Sequence, residues 1–361
     1  MGSAHLGHAH VTGSMLVPPF LTDARAALRA GRLMPAQYKQ VEDRAVDTAI
    51  ALQEGLGFGL INDGELRREA WTEGLLSSVS GVSTMNDAGT WKNTDDESPV
   101  EYPQPVVVDK IRRIRSRATE EFTYARARAH AEVKVTIPSP TIAVGMWSPQ
   151  HTADVYPDFF DLVGDFAAVV RSEIEELARL GCRHIQIDAP DLSFLADPAA
   201  QEMLAKRGIP IQRVSAESIE IIDNLATVPG VQFSVHICRG NHPDAWVARG
   251  GYDEIVKQVI RRAPHIDRFL LEYTSPGVGT FEPLAQAPTD KQIVLGLVAS
   301  KSRDVEPQEL LEQRIRDAAQ YFPLEQLGLS SSCGFENNVC TAADQQAKLT
   351  RIATVAHSVW N

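Results

Sequence analysis

The chain has 361 residues, of which 43% are hydrophobic and 23% are charged, and its formal net charge is -12. This composition is typical of a globular protein with a large core, and the negative charge argues against nucleic acid or an anionic membrane surface as a partner. No apolar run approaches the roughly 18 residues of a membrane-spanning helix, and four cysteines do not make a disulfide framework. Because the first residues also lack a signal-peptide pattern, we expect a cytoplasmic protein.

Strand-like runs alternate with helical patterns along most of the chain. Short apolar runs predict eight buried strands, at residues 10–15, 57–63, 133–138, 183–188, 231–236, 267–273, 292–298 and 326–331. Helical patterns lie between most of them, as at residues 35–54, 159–180, 252–262 and 307–321. The runs are apolar throughout, which is typical of parallel strands buried on both faces. The pattern predicts an α/β fold, a (β/α)8 TIM-type barrel. A doubly wound open sheet is the alternative, because a count of strands does not prove closure.

Residues 75–130, between the second and third predicted strands, are too long for one helix. They begin with a stretch rich in Gly, Asn and Asp at 80–99 and continue with a charged, helix-like tract at 110–131. We expect a mobile insertion followed by a surface helix. The domain prediction is a single catalytic barrel over residues 1–361 that contains this insertion.

Polar residues lie at or just after the C-terminal ends of the predicted strands, where barrel enzymes carry their active sites. They are Ser14, Asp63, Glu65, Asp188, His236, Cys238, Glu272, Lys301 and Cys333. Any one of them has an ordinary structural explanation, and their gathering at one end is the stronger signal.

Four of these residues suggest a metal site: His236, Cys238, Glu272 and Cys333. His236 and Cys238 are two apart in a strand, so their side chains point the same way. One imidazole, two thiolates and one carboxylate suit tetrahedral zinc, which would hold a substrate thiol as a zinc-bound thiolate at neutral pH. A structural zinc in a binding protein is the non-enzymatic alternative. Structural sites usually draw their ligands from local loops, whereas these ligands come from three separated strand ends between residues 236 and 333.

The remaining cysteines and carboxylates have simpler interpretations. Cys182 precedes its strand and is predicted to lie in the core. Cys340 could lie near the site, but it is predicted to be a packing residue. Asp63, Glu65 and Asp188 could cap following helices. At a barrel mouth, Glu65 and Asp188 could instead bind the ammonium group of an amino-acid substrate.

The chain resembles the catalytic barrel of cobalamin-independent methionine synthase, and more closely the short single-barrel members of that superfamily. The resemblance rests on HVTGS, INDGELRR, GCRHIQIDAP, VHICRGN, FLLEY with GTFEPL, VLGLVASK and PLEQLGLSSSCGF. It implies methyl transfer to the thiolate of homocysteine, with zinc held by His236, Cys238, Glu272 and Cys333. It also implies that Ser14, Glu65 and Asp188 contact the amino acid.

Several positions differ from the pattern of the longer enzymes. Ala189 stands where an acid is expected, and Lys301 aligns roughly with their proton-donating histidine. A related branch, epoxyalkane:coenzyme M transferase, opens an epoxide with a sulfonate-bearing thiol and is the alternative function. Lys301 would then serve as proton donor or anion contact; His151 or a water are other possible donors. The expected partners are a small thiol and an alkyl donor, and the sequence leaves a homo-oligomer open.

Overall fold

The computed structural model describes residues 7–93, 98–274, 277–336 and 339–360 of the chain. In chain order the strands are β1 (Ala9–His10), β2 (Leu60–Ile61), β3 (Val79–Asn93), β4 (Pro99–Arg113), β5 (Glu132–Pro138), β6 (His184–Asp188), β7 (Gln232–Ile237), β8 (Ala245–Trp246), β9 (Arg268–Glu272), β10 (Gln292–Val298) and β11 (Leu327–Ser331). The α-helices are α1 (Pro19–Arg29), α2 (Pro35–Gly55), α3 (Glu73–Leu76), α4 (Arg117–Arg126), α5 (Phe159–Arg179), α6 (Pro198–Lys206), α7 (Ile211–Arg213), α8 (Ile219–Leu225), α9 (Asp253–Gln258), α10 (Gln308–Ala318) and α11 (Ala342–Trp360). Short 3-10 segments cover Pro140–Gly145, Pro190–Ala196, Ile260–Arg262, Glu282–Gln286 and Leu324–Gln326, and a π-helical turn covers Val214–Ser218. None of the described helices is long and apolar enough to cross a membrane.

Eight parallel strands form one sheet in the order β1-β11-β10-β9-β7-β6-β5-β2. Skipping the three strands outside this sheet, neighbours in space are neighbours in the chain, as in a (β/α)8 barrel. Hydrogen bonds also join the segments after β1 and β2, because Met15 N–H donates to the Gly64 carbonyl at 2.9 Å and the Asn62 side-chain amide donates to the Gly13 carbonyl at 2.9 Å. The sheet is therefore nearly closed, and the barrel prediction is confirmed over the open-sheet alternative.

The strands of the barrel are apolar because both of their faces are covered. From their second residue onward, β5, β7 and β10 are buried at every position, as expected for strands covered on both faces. Helix α5 shows how the outer layer covers them. It begins at an N-cap, Asp158, whose carboxylate accepts the Phe160 N–H at 2.8 Å. Its buried residues Phe166, Val170 and Ile174 recur every four positions and form the face that packs inward.

The insertion between β2 and β5 contains strands that its composition does not predict. Strands β3 and β4 pair antiparallel as a hairpin, and β8 adds to the edge of β3. The helix-like tract predicted at 110–131 is strand as far as Arg113, and the helix is Arg117–Arg126. Helical prediction fails at Ile111 because that residue is buried and its N–H donates to the Tyr156 hydroxyl at 2.8 Å.

Candidate active site

Three of the four predicted metal ligands meet at the C-terminal ends of β7 and β11. One ligand atom from each of His236, Cys238 and Cys333 lies within 4.8 Å of the others. His236 occupies the fifth position of β7, and Cys238 follows the strand by one residue, so both side chains face the barrel mouth. Cys333 follows β11 by two residues. The three candidate ligands thus come from two parallel strands that are not neighbours in the sheet.

The chemistry of this cluster fits a thiophilic cation. Both ring nitrogens of His236 are buried, and neither has a hydrogen-bond partner among the described residues. A hydrogen bond from the Cys333 thiol holds the pKa of Cys238 well below its usual value, while the same bond and burial raise the pKa of Cys333. Burial lowers the pKa of His236, but the neighbouring Cys238, Asp188 and Glu272 together outweigh burial and raise that pKa overall. An orphaned imidazole beside two sulfurs is a suitable ligand set for zinc.

Glu272, the fourth predicted ligand, is fully buried at the end of β9 but does not belong to the 4.8 Å group. One carboxylate oxygen accepts the Arg239 backbone N–H at 2.6 Å. The other lies 3.6 Å from the ammonium nitrogen of Lys301. Glu272 is therefore next to the cluster and is held by the segment that carries Cys238.

Lys301, the predicted proton donor or anion contact, is already engaged. Its ammonium donates to the Gly240 carbonyl at 2.7 Å and pairs with Glu272. It is not among the described residues that line the cavity at the barrel mouth. The Lys301 side chain thus joins the loop after Cys238 to Glu272.

The predicted substrate contacts Ser14, Glu65 and Asp188 do line that cavity, together with the three clustered ligands. Asp188 ends β6 and pairs in register with His236 on β7. Its carboxylate accepts a 2.7 Å hydrogen bond from Gln186, whose own oxygen accepts from Lys134 at 2.6 Å. Burial raises the pKa of Asp188 to about 7. The carboxylate is thus fixed in place but poorly solvated, and a bound cation would stabilise its ionised form.

Glu65 is held in an unusual backbone conformation. Its φ is +56°, a left-handed value that is uncommon for residues other than glycine. The turn is stabilised by Asp63, whose carboxylate accepts the Glu65 N–H at 2.9 Å, so Asp63 caps this turn rather than a helix. The Glu65 carboxylate accepts from the Thr136 hydroxyl at 2.9 Å and lies 3.6 Å from Arg68. Strain at a cavity-lining carboxylate is a common feature of functional sites.

The cavity has a volume of about 310 Å³ and contains two acids that the sequence did not single out. Asp191 and Glu336 join Glu65 and Asp188 in its lining. Burial raises the pKa of Asp191 to about 6 and that of Glu336 to about 8. Asp191 directly follows the IDAP motif and Glu336 lies three residues beyond Cys333, so proximity to those motifs was the available signal. The rest of the lining is largely apolar and includes Trp71, Leu76, Ile142, Val144, Met146, Phe194 and Val247.

Known proteins resemble this chain over nearly its whole length. The family model described as the cobalamin-independent synthase catalytic domain matches residues 12–357. The protein YxjH of Bacillus subtilis (strain 168) is 30% identical, with 96% of this chain and 93% of that protein aligned. A methionine synthase of Saccharolobus solfataricus is 24% identical over 90% of this chain and 87% of its own length.

Solved structures share the fold. A putative vitamin-B12 independent methionine synthase from Listeria monocytogenes superposes with a TM-score of 0.74 at 24% identity, covering 98% of both chains. A B12-independent methionine synthase from Shewanella sp. W3-18-1, solved in complex with selenomethionine, gives a TM-score of 0.76 at 18% identity, with 97% of this chain and 96% of that chain covered.

Proposed function

Because the chain belongs to the family of cobalamin-independent synthase catalytic domains, we propose that it is a zinc-dependent methyltransferase that methylates the sulfur of homocysteine. The observation that carries the proposal is the gathering of His236, Cys238 and Cys333 in one cavity with Glu65 and Asp188. The first three residues supply a thiophilic site, and the two carboxylates supply partners for an ammonium group. An amino-acid thiol is the small molecule that presents both groups.

The three clustered residues would hold the zinc, with Glu272 as the nearby fourth candidate. When bound, zinc would keep the substrate sulfur deprotonated at neutral pH, where a free thiol of pKa about 8.5 is mostly protonated. Asp188, oriented by Gln186, and Glu65, oriented by Thr136, would bind the substrate ammonium. Fixing that end of the amino acid would restrict where its sulfur can lie, and the remaining lining is largely apolar.

Acceptor binding can be tested without knowing the methyl donor. Zinc-loaded protein is mixed with L-homocysteine or with 2-mercaptoethanesulfonate, and X-ray absorption counts the sulfur ligands of the metal. Homocysteine should add one sulfur and bind about 10- to 100-fold more tightly, since a charge-assisted hydrogen bond contributes roughly 1.5–3 kcal/mol. Preference for the sulfonate would instead favour the epoxide-opening branch.

Chemistry is tested with methyl iodide, a small electrophile that requires no donor-specific contacts. Bound homocysteine should give methionine faster than free homocysteine at the same pH, as measured by mass spectrometry. Asp188→Asn should remove most of this advantage. If chelation of the metal unfolds the whole chain cooperatively, as followed by circular dichroism, a structural zinc becomes the better account.

A further inference from the structure

The cavity has more carboxyl groups than an amino-acid acceptor uses. Among the described residues that line it are four carboxylates and no lysine or arginine. Under the proposed function, Glu65 and Asp188 bind the ammonium group of homocysteine. Asp191 and Glu336 are left without a cationic partner in the lining.

Asp191 provides an independent sign of a missing ligand. Its side chain is only 6% exposed, and its Oδ1 atom has no hydrogen-bond partner among the described residues. A buried carboxylate oxygen without a partner is costly, and native proteins retain few of them outside functional sites. Asp191 and Cys238 line the same cavity, and the charge of Cys238 adds to the burial that raises the pKa of Asp191.

The local structure pairs Asp191 with an aromatic ring. Both Asp191 and Phe194 lie in the 3-10 segment Pro190–Ala196, three residues apart. Side chains three apart in a 3-10 helix stand above one another on the same face, and both line the cavity. Trp71 and Met146 also contribute to the lining. Aromatic faces and a carboxylate together attract a cation that carries methyl groups, which needs no hydrogen bonds of its own.

We propose that the methyl donor is a small onium cation, a sulfonium or quaternary ammonium compound, bound between Asp191, Phe194 and the rest of the apolar lining. This inference rests on the proposed function, whose donor it specifies. The acceptor thiol first loses its proton to solvent. Its sulfur then attacks a methyl carbon, an S–CH3 bond forms, and the bond from that carbon to the onium atom breaks. The bonding pair stays on the leaving atom, which departs as a neutral thioether or amine.

The leaving group of this reaction needs no proton. That agrees with the position of Lys301, which is engaged by Gly240 and Glu272 and does not line the cavity. A folate nitrogen or an epoxide oxygen would need a proton as it leaves. A polyanionic donor would also face four acids with no cation in the described lining.

Charge recognition is tested with two molecules of nearly equal shape. Choline carries a quaternary nitrogen where 3,3-dimethyl-1-butanol carries a carbon, and calorimetry compares their binding to zinc-loaded protein. Choline should bind at least about tenfold more tightly, the ratio that one charge-assisted contact supplies. Asp191→Asn should abolish most of this preference. Phe194→Leu should weaken the binding of choline and leave the binding of 3,3-dimethyl-1-butanol unchanged. Glu282→Gln changes an exposed acid and serves as the control for net charge. Equal binding of the two molecules by the wild-type protein would overturn the proposal.

Transfer is tested with isotopically labelled trimethylsulfonium, tetramethylammonium and N5-methyltetrahydrofolate, each supplied with homocysteine. Labelled methionine should form from at least one of the two onium compounds, and which one reacts identifies the leaving atom. Formation from the folate alone, or from none of the three, overturns the onium proposal. The methyl iodide experiment requires no donor site. It therefore tests the proposed thiol methylation separately from the proposed onium donor.

Discussion

Gly334 lies so close to Ser14 that a Cβ atom on residue 334 would come within 2.1 Å of the Ser14 hydroxyl oxygen and 2.8 Å of its backbone nitrogen. The next residue, Phe335, donates its N–H to the Ser14 carbonyl at 2.8 Å. These contacts join the segment after β11, which carries Cys333, to the segment after β1. The first and last barrel strands therefore fix the position of one metal-ligand candidate and one predicted substrate contact together.

Substitution Gly334→Ala should disturb the site more than the fold. The added methyl must displace Ser14, and overpacking of this kind costs roughly 1–3 kcal/mol. We expect homocysteine affinity to fall at least about tenfold and urea denaturation to show a moderate loss of stability. Gly164→Ala is the matched control, because a Cβ at that position in α5 has no atom within 4 Å. It should slightly stabilise the helix. Equal effects of the two substitutions would contradict the role given to the Ser14 contact.

Zinc content should depend on two of the four cysteines. The purified protein should hold about one zinc per chain, and Cys238→Ser or Cys333→Ser should lose most of it after dialysis, as measured by elemental analysis. Cys182→Ser is the control, because burial raises the pKa of that thiol to about 12 and its sulfur lies 3.4 Å from the His184 carbonyl oxygen. Full retention of zinc by both site variants would remove the basis of the proposed centre.

The sequence predicted the barrel well because its strands carry a strong local signal. All eight predicted runs contain or overlap a strand of the barrel sheet. The hairpin was missed because turn-forming residues dominate the composition of its first strand, although the β-branched run Val106–Val108 lies in its second. The pairing of β3 with β4 depends on contacts between distant residues, which composition does not report.

The site could be predicted only in part. Residues at the C-terminal ends of strands, such as His236 and Asp188, are placed by the barrel itself. Asp191 depends on a 3-10 turn that brings it back to the cavity, and no periodic pattern indicates such a turn. Lys301 stands after its strand as expected, yet its side chain contacts Gly240 and Glu272 instead of the cavity. Strand ends thus reveal which residues reach the mouth, but side-chain partners decide which of them face the ligand.

Lys301→Met should weaken metal binding without changing the pH dependence of methylation. Loss of the ammonium removes its contacts with Glu272 and the Gly240 carbonyl, and removal of such supporting contacts commonly costs about 10- to 100-fold in metal affinity. Competition with a zinc chelator measures this change. Lys206→Met, at an exposed position of α6, is the control. A shift in the alkaline limb of the pH–rate profile would show instead that Lys301 transfers a proton in the reaction.

Glu173 should make the stability of the barrel depend on pH. Its side chain is fully buried in α5, both carboxylate oxygens lack a hydrogen-bond partner among the described residues, and burial raises its pKa from 4.5 to about 7. Between these values the folded chain retains a proton that the unfolded chain has released, so the free energy of unfolding falls as pH rises. The full effect is roughly 3 kcal/mol, at about 1.4 kcal/mol per pKa unit. Glu173→Gln removes this titration. The free energy of unfolding of Glu173→Gln, measured in urea, should therefore increase relative to that of the wild type between pH 5 and pH 8. Glu175→Gln changes an exposed neighbouring acid and controls for net charge. A constant difference between the wild type and Glu173→Gln across this range would show that Glu173 is ionised in the folded protein.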